Sequence, residues 1–97
     1  MPYIKQESRA RINSYLHELT DQIQMMEPDD LKRPGIVNYV ITRIVATVLK
    51  PSEEWSYHSL SRAIAVLRDA ATEMERRLMA KCEDQAIQSN RDLEDYL

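Results

Sequence analysis

The stretch Ile36–Leu49, IVNYVITRIVATVL, constrains this chain more than any other. Pro34-Gly35 precedes it and Lys50-Pro51 follows it. Within it Val37, Val40, Ile41, Ile44, Val45 and Val48 recur at i, i+3, i+4, i+7, i+8 and i+11. That spacing puts all six on one face of an α-helix. The valine, isoleucine and threonine content would also suit a strand. Fourteen residues exceed the usual strand of about five or six, and the period is that of a helix. A central helix over 34–49 follows. Pro34 fits its first position, where the missing N–H would be unpaired anyway.

The flanking segments read as helices of the same kind. Ile12, Tyr15, Leu16, Leu19, Ile23 and Met26 form a stripe over 7–26. Asn13 inside that window could cap a second helix, so a continuous and a split helix one both fit. Glu27–Pro34, with two prolines and paired aspartates, is a loop. Pro51–Trp55 is a second loop, with room for one turn capped by Ser52; Ser56 then caps helix three. Leu60, Ala63, Ile64, Leu67, Ala71, Met74 and Leu78 make its stripe, continued by Cys82 and Ile87. No glycine or proline lies between Tyr57 and Leu97, so helix three can span 56–89, roughly 50 Å at about 1.5 Å per residue.

The expected fold is all-α. A single helical domain over 1–97 holds three helices, an extended N-terminal arm over Met1–Gln6, and a third helix that outruns its neighbours. The arm should lie over a hydrophobic groove. The six-residue stripe of helix two should be buried against Leu16, Leu19 and Ile23, and against Leu60, Ile64 and Leu67. A domain of 97 residues buries only about 60–65% of its unfolded surface, so association would complete it usefully.

Composition excludes more than it identifies. Hydrophobic residues make up 43% and charged residues 30%, which is ordinary for a globular chain and unlike disorder. Net charge is −3. Residues 1–48 carry six basic and six acidic side chains and residues 49–97 carry seven and ten, so neither half is a basic surface for nucleic acid. Cys82 is the single cysteine and has no internal disulfide partner. Met1–Lys5 lacks the apolar core of a signal peptide, and no apolar run is long enough to span a membrane. A cytoplasmic location is the expectation.

Several residue runs resemble an uncharacterised family of small all-helical proteins encoded by phages and bacteria. The likeness covers nearly the whole length. It opens with MPYIKQE at Met1–Glu7 and the basic residues Arg9 and Arg11. It is strongest at NYVIT, Asn38–Thr42, three positions after Gly35. It resumes at Tyr57, Leu60, Leu67, Ala70, Glu73, Arg76, Arg77, Ala80, Glu83 and Asp84. Two positions depart from the family pattern. Lys81 stands where the family tends to have a proline, and Cys82 where an aromatic is usual, so a continuous helix three is favoured here. The resemblance implies a phage-related helper or regulatory role and no particular chemistry.

Candidate catalytic groups each have a plainer reading. His17 and Asp21, at i and i+4, could hold a metal; they also fit a solvated face opposite Leu16 and Leu19. Glu18-x-x-Asp21 has the carboxylate spacing of all-helical nucleotide pyrophosphohydrolases, with Asp69 and Glu73 as the second half of a magnesium site between helices one and three. Glu73 is equally placed to pair with Arg76 and Arg77, and that reading is preferred. Cys82 and His58 lie at opposite ends of one helix, too far apart to work as nucleophile and base. Lys5, Arg9, Arg11, Lys32, Arg33 and Arg43 could form a basic patch, but Glu7, Asp29 and Asp30 interrupt it. The Met25-Met26 pair and the Met74/Met79 pair could offer an adaptable binding surface or simply fill gaps.

The preferred function is a non-enzymatic interaction or structural module that self-associates, as a dimer first of all. No cofactor, resident metal or nucleic-acid partner is expected. The interface residues are Tyr3 and Ile4 on the arm and Leu78, Met79, Cys82 and Ile87 on helix three. The alternative is the pyrophosphohydrolase-like enzyme, with Glu18, Asp21, Asp69 and Glu73 around magnesium.

Overall fold

Proline placement decides where the helices stop and start. In a computed structural model, which describes residues 2–96, helix α1 runs from Gln6 to Met26 without a break at Asn13. Met1, the first residue of the expected arm, and Leu97 lie outside the described residues. Glu27 closes α1 in an extended conformation, φ −137° and ψ 97°, as the residue before Pro28 must. Asp29 then accepts the Leu31 N–H through Oδ1 at 3.0 Å and opens a 3₁₀ turn over Asp30–Lys32. Helix α2 follows directly, Arg33–Val48, with Pro34 at its second position. The Leu49 N–H donates to the Val45 carbonyl at 3.1 Å, and Pro51 ends the run. The loop before the next helix contains no helical turn.

Helix α3, Tyr57–Met74, opens with a reciprocal cap. The Ser59 N–H donates to Ser56 Oγ at 3.1 Å, and the Ser56 N–H donates to Ser59 Oγ at 2.8 Å. This is a capping box with serine in the place usually held by a glutamate. A π turn over Glu75–Met79 follows without interruption, and the Ala80 N–H donates to the Glu75 carbonyl five residues back. Helix α4 then runs Ala80–Asn90. The expected third helix is therefore α3, the π turn and α4 in unbroken succession, with no bend back at Ala80, whose own φ and ψ are α-helical. Arg91, at φ 68°, ends it, and a 3₁₀ turn at Glu94–Tyr96 closes the described chain. No strand occurs among the described residues, and the class is all-α.

The chain divides into two compact units. One is Tyr3–Ala63, which holds α1, α2 and the first turns of α3; the other holds Pro2 and residues 64–96. In the first unit α1 and α2 touch each other. The expected core is not formed there. Val40 and Val45 are half-buried, but Val37 and Ile41 are each 40% exposed, Ile44 47% and Val48 70%. Their proposed partners behave alike. Leu19 and Ile23 are half-buried, whereas Leu16, Leu60, Ile64 and Leu67 are exposed. The physical reason is width: an apolar stripe along three or four turns needs cover on both sides, and one neighbouring helix covers only an edge of it. Ala63 and Ser59, each 5% exposed, are the buried residues among those described.

Candidate interaction surface

Arginines near the turns are spent on local structure. Arg33 Nε donates to the Glu27 carbonyl at 2.8 Å and Nη2 to the Pro28 carbonyl at 3.1 Å, so one guanidinium satisfies the carbonyls left open where α1 ends. Arg9 Nε donates to the Ile4 carbonyl at 2.8 Å and fixes the end of the arm onto α1. Arg43 Nη1 donates to the Tyr39 hydroxyl at 2.9 Å, with its guanidinium carbon 5.8 Å from that ring's centroid. Three of the six cations that could have formed a basic patch are thus engaged with neighbours in their own unit.

The carboxylates of the enzyme alternative are placed as follows. Glu18 and Asp21 are exposed on α1, in the first unit; Asp69 and Glu73 are on α3, in the second. Glu73 holds Arg76 in a two-pronged pair, Nη2–Oε1 2.7 Å and Nε–Oε2 3.3 Å, and its side chain is only 14% exposed. Among the described residues no three His, Cys, Asp or Glu side chains converge as a metal site would require. His17 contributes its carbonyl to the Thr20 hydroxyl at 3.1 Å, and His58 meets the Tyr57 ring edge-on at 6.4 Å. Cys82 is an exposed free thiol.

What the helices do present is apolar surface. On the arm Tyr3 is 50% and Ile4 49% exposed; on the far end of the third helix Leu78, Met79 and Ile87 are 57%, 54% and 42% exposed. On α1 the stripe residues Ile12, Tyr15 and Leu16 are open as well. Pro2 sits beside Val66, Asp69 and Ala70 of α3 and beside Thr72 and Glu73, so the start of the arm lies along that helix in shallow concavities. These exposed apolar residues lie among side chains of both charges.

The π turn was invisible to reasoning from helical spacing. One trace of it is legible in the residues. Met74 and Met79 are five apart, after which Cys82 and Ala86 resume intervals of three and four. A steady α period would instead continue from Met74 to Leu78, Lys81 and Gln85.

No helix among the described residues is long and apolar enough to cross a membrane. A family model described as a domain of unknown function, DUF6899, matches residues 1–93. No curated protein and no solved structure matches the chain. None of these findings supports the pyrophosphohydrolase alternative.

Proposed function

We propose that this chain, which belongs to the DUF6899 family, is a non-enzymatic helical module that works by self-association. One observation carries the reading: residues of the apolar stripes on α1, α2 and the third helix are exposed. A dimer is the simplest closed assembly, because a two-fold contact uses the same face on both copies. The residues assigned to it are Tyr3, Ile4, Leu78, Met79, Cys82 and Ile87.

A phage-related setting is supported by the MPYIKQE and NYVIT runs. A cytoplasmic one is supported by a lone cysteine without a disulfide partner. Nucleic acid is not the partner in this reading, since the chain carries 13 basic against 16 acidic residues and its turn arginines serve local bonds. Light scattering on a size-exclusion eluate at micromolar concentration tests the proposal. It should give at least twice 11.4 kDa. A mass of one chain at every concentration would refute it.

A further inference from the structure

We infer that the π turn aligns one face of the third helix to bind a second copy of this chain antiparallel. The inference rests on the self-association reading and adds the face, the direction and the register. A π turn holds one residue more than an α turn, so every position after it is rotated by one residue's step. Before the turn the stripe runs Ile64, Leu67, Ala71, Met74. At unbroken α spacing it would continue through Leu78, Lys81, Gln85 and Ser89. With the added residue at Glu75–Met79 it continues through Met79, Cys82, Ala86 and Asn90. The turn therefore exchanges a lysine, a glutamine and a serine on this face for a cysteine, an alanine and an asparagine. It also moves Leu78 from the middle of the stripe to its edge.

This face is open. Ile64 is 47%, Leu67 41%, Met74 63% and Met79 54% exposed, and Cys82 is exposed. Pro2 lies beside Val66, Asp69 and Ala70, on the adjoining side of the helix. The charges along the edge select the occupant. Arg68 and Glu75 are seven residues apart, hence on one flank, and both are exposed. A parallel second copy would set this flank against the partner's opposite flank, where Ala70 offers Glu75 no counter-charge, and would pair neither Arg68 nor Glu75. An antiparallel two-fold keeps each flank facing its own equivalent but reverses direction, so Arg68 meets the partner's Glu75 twice. With the two-fold axis close to Thr72, Ile64 faces the partner's Cys82, Leu67 the partner's Met79 and Ala71 the partner's Met74. Larger side chains then meet smaller or more pliable ones, as close helix packing requires.

Cross-linking of the full chain tests the register. Ile64→Cys, mildly oxidised, should join to the partner's Cys82 and run at twice 11.4 kDa without reductant, while the parent chain stays uncross-linked. Arg68→Glu should raise the dimer dissociation constant about tenfold or more, and adding Glu75→Arg should restore it to within about threefold. Met79→Glu should weaken the dimer at least as strongly, and Leu78→Glu less. If the parent chain is a monomer, the self-association reading itself fails. If it is an oligomer that neither cross-links through Ile64→Cys nor regains affinity on charge exchange, the antiparallel register alone is wrong.

Discussion

Single residues settle how each segment of this chain begins and ends. Ser56 and Ser59 close a reciprocal cap at the head of α3, and Ser59 is 5% exposed. Removing Ser59 Oγ leaves the Ser56 N–H without its acceptor, so Ser59→Ala should destabilise the fold by about 1 kcal/mol in urea unfolding. Ser56→Ala should cost about the same. The two losses should not add, because both remove one cap; a fully additive double variant would mean that the hydroxyls act separately. Arg33→Ala should cost about 1 kcal/mol or more, through the two carbonyls it satisfies at Glu27 and Pro28. Gly35 is the opposite case. It has no positive φ, and a Cβ built on it meets nothing within 4 Å. Gly35→Ala should therefore stabilise α2 by about 0.5–1 kcal/mol, read as a rise in melting temperature. A loss of stability instead would mark Gly35 as a place where a second chain approaches closely.

At the scale of elements, much was legible in the residues and some was not. Three apolar stripes of helical period and two proline-bearing loops located the helices, because period and breakers are local properties. Asn13 could have divided α1, but the stripe from Ile12 to Met26 runs straight through it, and the helix follows the stripe. The cover over the stripes was not legible. A stripe says which face is apolar and is silent on what lies against it, so the six residues from Val37 to Val48 read as core and are mostly open. The proposed interface residues were nameable for the same reason, while the proposed arrangement depends on a π turn in which the Ala80 N–H reaches back to the Glu75 carbonyl. Deleting Arg77 should remove that turn and return the helix to α spacing. Circular dichroism should show helix content retained. Association should be kept to within about threefold, since Met79, Cys82 and Ala86 then stay on the contact face at ordinary α spacing. A loss of tenfold or more would mean that the residue added at the turn does not set the register of this face.

For the whole molecule, the proposal is that another copy of this chain completes its folding. Apolar stripes in both units lie open, the charge is mixed rather than one-signed, and the chain belongs to a family described only as a domain of unknown function. In an obligate assembly, stability cannot be separated from protomer concentration. Urea unfolding followed by circular dichroism over a hundredfold range of concentration tests this most directly. The midpoint should climb steadily with concentration, by the equivalent of about 2.7 kcal/mol across that range. A midpoint that stays constant over the same range would contradict it.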